Sequence, residues 1–169
     1  MQPEPEFRPE EMLRIFAKHR VELVVIGGFA ATIRGSPLVT FDVDVTPNLE
    51  RDNLERLSAA LREMHARVWT QPVPDGVPFD HDADSLADVQ ILNLITDFGR
   101  LDVTNLPAGT TGYPDLVRDA TWMRIDGIDV LVASLADVVR SKQAAGRPKD
   151  ERALPILRRL LEEGPPAER

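Results

Sequence analysis

The sequence predicts an α+β protein with two layers, in which helices flank a mixed β-sheet. Short β-branched runs such as residues 21–26 alternate with segments of helical apolar spacing such as residues 49–64. Towards the C-terminus, residues 134–146 and the segment after them both read as helices. Because strands and helices interleave along the chain, a sheet with helices packed on it buries the apolar surface of both.

The composition is that of a folded protein of modest size. The chain has 169 residues, and its hydrophobic fraction of 43% is sufficient for a core. It contains no cysteine, which excludes disulfides and cysteine-bound zinc. No segment approaches the roughly 18 apolar residues of a membrane span, and the acidic, proline-rich start is unlike a signal peptide. We therefore expect a cytoplasmic protein that does not associate with membranes.

Charge is distributed unevenly along the chain. The net charge of -8 at pH 7 disfavours nonspecific binding of nucleic acid. Residues 133–169, however, carry eight Lys and Arg against six Asp and Glu. We expect one domain with a core over residues 1–132, of which residues 1–9 are frayed, and a helical part over residues 133–169. The helical part is the expected contact face for an anionic ligand.

Each predicted element has a local signal. Asp126 and Gly127 form a hairpin turn, and Ser134 and Gly146 bound a helix. The proline-rich residues 71–85 are predicted to be a loop. The remaining predictions are helices over 10–19, 29–34, 49–64 and 149–163, strands over 21–26, 39–45 and 66–70, hairpins over 87–106 and 122–132, and a core position for Trp69 and Trp122.

Asp42 and Asp44 lie one residue apart in a segment that otherwise reads as a buried strand. Because strand side chains alternate between faces, both carboxylates and Thr40 are expected on one face. Two carboxylates on one face repel each other unless a cation lies between them. Carboxylate oxygens with room for water suit Mg²⁺. The alternative is a strand end whose aspartates reach solvent or pair with arginines.

A glycine pair and a third acid add to this pattern. Gly27 and Gly28 end a predicted strand and begin a helix, so that backbone N–H groups can approach a phosphate closely. Asp102 lies between the apolar residues Leu101 and Val103 on a later strand and therefore faces away from both. Three acids on adjacent strands suit two divalent ions and an in-line phosphoryl displacement, with one acid as a base.

This combination resembles the nucleotidyltransferase superfamily, which has a DNA polymerase β-like fold. The signature of that superfamily is a hydrophobic strand, Gly-Gly or Gly-Ser, then Asp-x-Asp and a later acid, and it matches Gly27, Gly28, Asp42, Asp44 and Asp102. The resemblance implies transfer of a nucleoside monophosphate from an NTP to a hydroxyl. It also implies that the three aspartates bind two Mg²⁺ ions, with Mn²⁺ as an alternative.

The segment from residue 133 to residue 150 resembles the AbiEii-type and MenT-type toxins of bacterial toxin–antitoxin systems. Their Lys, polar motif and trailing Asp match Lys142, Arg147 and Asp150. The resemblance implies an RNA acceptor, notably the tRNA 3′ end, and a cognate antitoxin as partner. The residues alone also allow a solvated helix end. The predicted catalytic residues are Asp42, Asp44, Asp102 and Lys142, and the predicted nucleotide-binding residues are Gly27, Gly28, Thr40, Lys142, Arg147 and Asp150.

Two positions depart from the pattern of these relatives. Gly28 replaces a serine that helps to hold phosphate, and Leu38 stands where an arginine is frequent. Arg34 is the candidate replacement for that arginine. Two other functions stay open: the same fold acting on a protein or small-molecule hydroxyl, such as that of an aminoglycoside, and a non-catalytic binding or antitoxin module.

Overall fold

The computed structural model describes residues 3–164, and a single mixed sheet lies at its centre. Its strands are β1 (Leu23–Ile26), β2 (Asp42–Pro47), β3 (Arg67–Thr70), β4 (Val73–Val77), β5 (Ile91–Thr96), β6 (Gly99–Thr104), β7 (Thr121–Ile125) and β8 (Ile128–Val132). The helices are α1 (Pro9–Lys18), α2 (Gly27–Ile33), α3 (Arg51–Glu63), α4 (Ala83–Asp88), α5 (Tyr113–Leu116), α6 (Leu135–Ala145) and α7 (Pro148–Glu163). The predicted α+β class, with helices at the C-terminal end, is confirmed.

Strand direction explains how distant parts of the chain meet. The spatial order is β4-β3-β5-β6-β2-β1-β8-β7. Strand β2 runs antiparallel to β1 and parallel to β6, whereas β5–β6 and β7–β8 are the predicted antiparallel hairpins. In the β2–β6 pair, Asp44 lies directly opposite Asp102. The register therefore brings the third acid beside the Asp-x-Asp segment.

Acidic and apolar residues alternate along β2 and β6 because one face of the sheet packs into the core. The residues between the acids, Val43 and Val45 on β2 and Leu101 and Val103 on β6, are all buried. Helix α3 packs against β2 and α1, and α6 packs against both α2 and α7. The acids therefore occupy the sheet face opposite these apolar side chains, as period-two alternation requires.

Three local predictions are wrong. Residues 71–85 are not one loop, because they contain β4 and the start of α4, where Asp82 and Ser85 form a capping box. The second strand begins at Asp42 rather than at residue 39. Trp122 is 71% exposed instead of buried, because it lies on the edge strand β7, while Trp69 is half-buried.

The C-terminal helices have clear boundaries. The Ser134 hydroxyl accepts a hydrogen bond from the N–H of Asp137, and Gly146 ends α6 with a φ of 62°. Helix α7 begins after Arg147 and contains Pro155. Within residues 3–164, none of the helices has the length and apolar character that crossing a membrane requires.

Candidate metal and nucleotide site

A cavity of about 770 Å³ lies between the acidic face of the sheet and helices α2, α6 and α7. This volume is in the range of small-molecule sites. It brings together residues that are far apart in the sequence. The predicted site residues that line it are Gly27, Gly28, Thr40, Asp42, Asp44, Asp102, Lys142 and Arg147.

Asp42, Asp44 and Asp102 form a compact carboxylate triad. Each offers an oxygen atom, and these oxygens all lie within 4.8 Å of one another. Period-two alternation aligns the first two on β2, and the parallel register with β6 adds the third. Within residues 3–164, none of the three forms a salt bridge. The triad therefore concentrates negative charge that no salt bridge in the described part of the chain neutralises.

The pKa values of Asp44 and Asp102 reflect this crowding. Burial raises the pKa of Asp44 well above its usual value, and the charges of Asp42 and Asp102 raise it further. Burial and then the charge of Asp42 raise the pKa of Asp102 to about 6, although Arg100 opposes this shift. A bound cation would favour the ionised carboxylates and reverse both shifts.

The donor set fits a hard divalent cation. Its ligands would all be carboxylate oxygens, the type that Mg²⁺ and Mn²⁺ prefer. Asp102 Oδ1 is buried and has no hydrogen-bond partner among the described residues. Such an orphaned oxygen is costly unless it has a partner, and a metal ion is one. The triad could therefore bind a metal, although its geometry does not select the ion.

Thr40 and the glycine pair surround the triad. The Thr40 hydroxyl donates a hydrogen bond to Asp42 Oδ1 at 3.0 Å, which orients that carboxylate. Gly27 has a φ of 66°, and a Cβ atom there would collide with the Asp44 carboxylate. At Gly28 a Cβ atom would lie 3.4 Å from Thr40 Oγ1, an ordinary contact. Gly27 is therefore required by both its backbone conformation and its neighbour, whereas Gly28 leaves room for a side chain.

Asp150 has a different position from the one that the sequence suggested. It is completely buried and does not line the cavity. Its carboxylate accepts hydrogen bonds from Arg147 Nε at 2.7 Å and from Lys142 Nζ at 3.3 Å. Burial raises the pKa of Asp150, but Arg147 and Lys142 outweigh that effect, and its pKa is lowered overall. Asp150 thus holds the two cations at the cavity wall and is not placed for direct contact with a nucleotide.

Sequence reasoning missed several cations of the cavity. Lys149 and Arg152 of α7 and Arg100 of β6 line it. The charge of Lys149 lowers the pKa values of both Asp44 and Asp102, with which it shares the cavity. The basic run in residues 140–152 was a signal for the two α7 residues. Arg100 could have been found only from the register, in which it lies opposite Asp42.

Arg34 does not replace the missing arginine. Its Nε donates a hydrogen bond to the carbonyl of Ala133 at 2.6 Å, and Nη2 donates to the carbonyl of Val132 and the hydroxyl of Thr121. These bonds tie the end of α2 to the β7–β8 hairpin. The prediction is therefore corrected: Arg34 has a structural role away from the cavity wall, to which Leu38 does contribute.

Comparison with known proteins gives likenesses in structure only. No family model matches the sequence, and no curated protein matches it. TM1012 of Thermotoga maritima, classed provisionally as a nucleotidyltransferase, is similar with a TM-score of 0.55 at 17% identity, over 94% of this chain and 97% of that one.

A second similar structure is that of the antibiotic-resistance factor ANT(2″)-Ia in solution. It aligns with a TM-score of 0.57 at 16% identity, over 92% of this chain and 82% of that one. A crystal structure of ANT(2″)-Ia with adenylyl-2″-tobramycin aligns with a TM-score of 0.52 at 16% identity, over 92% and 87% of the two chains. The chain therefore has the fold of the nucleotidyltransferases, with a carboxylate triad that could bind a metal at its centre.

Proposed function

We propose that this protein is a metal-dependent nucleotidyltransferase of the EC 2.7.7 type, which transfers a nucleoside monophosphate from an NTP to a hydroxyl group. The observation that carries the proposal is the triad, whose oxygens lie within 4.8 Å of one another in a cavity next to Gly27. Without a cation, this arrangement is electrostatically unfavourable, because burial and the neighbouring carboxylates raise the pKa values of Asp44 and Asp102.

Each group has a defined task in this reaction. The acceptor oxygen bonds to the α-phosphorus, the bond from that phosphorus to the bridging oxygen breaks, and pyrophosphate leaves. Asp102 is the proposed base for the hydroxyl proton, and Lys142 and Arg147 neutralise the triphosphate. Two divalent ions held by Asp42, Asp44 and Asp102 would supply charge stabilisation on the attacking and leaving oxygens. The Gly27–Gly28 backbone and Thr40 complete the nucleotide site.

The proposed acceptor is RNA, notably the 3′ end of tRNA, and the proposed role is that of a toxin with a cognate antitoxin in the cytoplasm. Support for this role comes from the resemblance of residues 133–150 to AbiEii-type and MenT-type toxins. Basic residues at the cavity, among them Lys149 and Arg152, are compatible with a polyanionic acceptor despite the net charge of -8.

One alternative has a structural argument in its favour. The structure of ANT(2″)-Ia with adenylyl-2″-tobramycin is similar to this chain, and this likeness favours a small-molecule acceptor. A protein hydroxyl is a further acceptor for the same chemistry. A non-catalytic module is disfavoured, because all three acids line the cavity together with Lys142 and Arg147, the two cations proposed for the triphosphate.

The test is incubation of the purified protein with total RNA, Mg²⁺ and each α-³²P-labelled NTP in turn, beside an Asp42→Ala control. We expect label in RNA with the native protein and none with the variant. Label in protein or in an aminoglycoside assigns the alternative acceptor. The absence of both transfer and metal-dependent NTP binding would refute the transferase. Growth arrest on expression, relieved by Asp42→Ala, tests the toxin role.

A further inference from the structure

Arg100 is a cation of the cavity wall that has no role in the proposed binding of the triphosphate. It lies opposite Asp42 in the register and two residues before Asp102. Within residues 3–164 its guanidinium forms no salt bridge, and its buried Nε has no hydrogen-bond partner. Its Cζ atom lies 3.6 Å from the ring centre of Trp69. Stacking on an indole fixes a guanidinium without neutralising it.

The sheet order places Arg100 on the far side of Asp42 and Asp44 from the glycine turn, on the same strand as Asp102. Gly27 follows β1, β2 carries Asp42 and Asp44, and Arg100 lies on β6 beyond them. Lys142 lies on α6, which packs against α2, the helix that begins at Gly27. Of the groups proposed to hold the triphosphate, Gly27, Gly28 and Lys142 are therefore on the β1 side of Asp42 and Asp44, and Arg100 is on the other side.

The chemistry of transfer assigns a ligand to each side. In an in-line displacement, the attacking hydroxyl and the leaving pyrophosphate lie on opposite sides of the α-phosphorus. If pyrophosphate leaves along the Gly27 side, the acceptor hydroxyl enters from the β6 side. A group of the acceptor that lies next to its hydroxyl then lies within reach of Arg100.

We propose that Arg100, held on Trp69, binds a phosphate next to the reacting hydroxyl of the acceptor, and that the acceptor is the 3′ end of an RNA strand. This inference rests on the proposed function. A guanidinium fork matches two phosphate oxygens. Phe41 and Ile91 also line the cavity and are 71% and 56% exposed, so they offer apolar surface on which an unpaired base can stack or pack.

The charge of the cavity wall favours this acceptor over a polyamine. Outside the triad, the charged residues that line the cavity are Arg100, Lys142, Arg147, Lys149 and Arg152 against Glu4 and Asp137. Asp137 already accepts a hydrogen bond from Arg140 at 3.0 Å. Where bound divalent ions offset the charge of the triad, an aminoglycoside, with several ammonium groups, would meet more like than opposite charge, whereas a phosphodiester strand would be attracted.

The test measures RNA binding by the full chain, independently of catalysis. The probes are two fluorescent single-stranded RNAs of one sequence with a free 3′ hydroxyl. In one of them, a neutral methylphosphonate replaces the last phosphodiester. With Mg²⁺ and a non-transferable NTP analogue, we expect the native protein to bind the natural RNA about tenfold more tightly than the neutral one. Arg100→Gln should bind both equally, at the weaker level.

Matched variants separate a local contact from a loss of charge. Arg124→Gln removes the same charge on β7, where Arg124 is exposed beside Asp129, and should keep the tenfold preference. Arg100→Lys keeps the charge without the fork and should recover only part of it. Melting curves of each variant check folding. Equal binding of the two RNAs by the native protein, or an unchanged preference in Arg100→Gln, overturns the proposal.

Kinetics and label distribution cover the remaining outcomes. If Arg100→Gln has a higher KM for NTP than the native protein and an unchanged KM for RNA, Arg100 binds the triphosphate and the proposal is overturned. Label that enters a protein, with no effect of the methylphosphonate, assigns a protein acceptor and also overturns it. Failure of the proposed transferase function gives a different result: no label enters any acceptor, and label incorporation by the native protein is the same as by Asp42→Ala.

Discussion

Asp115 and the triad of Asp42, Asp44 and Asp102 all lie partly or wholly out of solvent, but among the described residues only Asp115 is neutralised by salt bridges. Asp115 accepts hydrogen bonds from Arg140 at 3.1 Å on both oxygens and from the N–H of Thr111 at 3.0 Å, which lower its pKa to about 2. Burial and repulsion instead raise the pKa values of Asp44 and Asp102. The fold can thus pair a carboxylate, and the unpaired triad is typical of a functional site.

The largest contrast is expected in activity. Asp44→Asn should lower nucleotide transfer at least about 1,000-fold, because it removes a proposed metal ligand and, with it, transition-state charge stabilisation. Incorporation of α-³²P label measures the rate. Asp84→Asn is the matched control, since Asp84 is an exposed acid paired with Arg51 at 2.7 Å, and should leave transfer unchanged. Comparable rates for native protein and Asp44→Asn would remove the triad from the mechanism.

In stability, unlike in activity, a substitution at Asp115 should have a larger effect than one at Asp44. Asp115→Asn is expected to lower the free energy of unfolding by about 2–3 kcal/mol, because it leaves Arg140 without its main partner. Asp44→Asn should leave the metal-free protein as stable or more stable, because it removes a buried like charge. Urea unfolding of both variants without divalent ions gives the answer. A larger loss for Asp44→Asn would mean that the triad stabilises the fold.

The two groups should also respond to pH in opposite directions. The folded pKa of Asp102, about 6, lies above its ordinary value, so the metal-free protein should lose stability as pH rises from about 4 to about 7. The size is on the order of 2 kcal/mol. The lowered pKa of Asp115 stabilises the fold above about pH 4 and this contribution is lost towards about pH 2.

Urea unfolding at several pH values, with and without Mg²⁺, measures both effects. Asp102→Asn should reduce the dependence between about pH 4 and about pH 7, and the part that remains comes from Asp44, whose pKa burial also raises. Because Mg²⁺ binds ionised carboxylates, it should raise Tm more at neutral pH than at about pH 5 in the native protein only. An equal Mg²⁺ effect in Asp102→Asn would place the ion elsewhere.

The glycine pair gives the smallest expected effect. Gly27→Ala should cost about 1–2 kcal/mol of stability, because it adds a Cβ at a φ of 66° and against Asp44, and it should also impair transfer. Gly28→Ala should be nearly neutral in unfolding, since its Cβ meets Thr40 Oγ1 at 3.4 Å. Unfolding and label transfer compare the two variants. Equal losses of stability and transfer in the two variants would show that the backbone at Gly27 can accommodate a Cβ atom.

The triad was predictable because its geometry follows from short-range rules. Period-two alternation is enough to place Asp42 and Asp44 on one face and to turn Asp102 away from Leu101 and Val103. Residues 71–85 were harder, since Pro74 and Gly76 within β4 are typical of a loop and are tolerated there because β4 is an edge strand.

The charged wall was predictable only in part. The basic run around Lys142 marks a cationic segment, but its pattern does not separate residues that face the cavity from the buried Asp150. That difference depends on how α6 and α7 pack against each other, which the local sequence does not specify. The contact of Arg100 with Trp69 joins β6 to β3 across β5, and such non-local pairing has no local sequence signal.

The parallel pairing of β2 with β6 also has a consequence for folding. Asp44 and Asp102 are neighbours in the sheet, but α3, β3, β4, α4 and β5 separate their two strands in the sequence. Contacts of such long sequence separation carry a large loop-closure entropy and form slowly. During synthesis, a nascent chain that lacks β6, or the cations of α6 and α7, has no complete site. We expect the protein to become active only when nearly all of the described chain has been made and has folded.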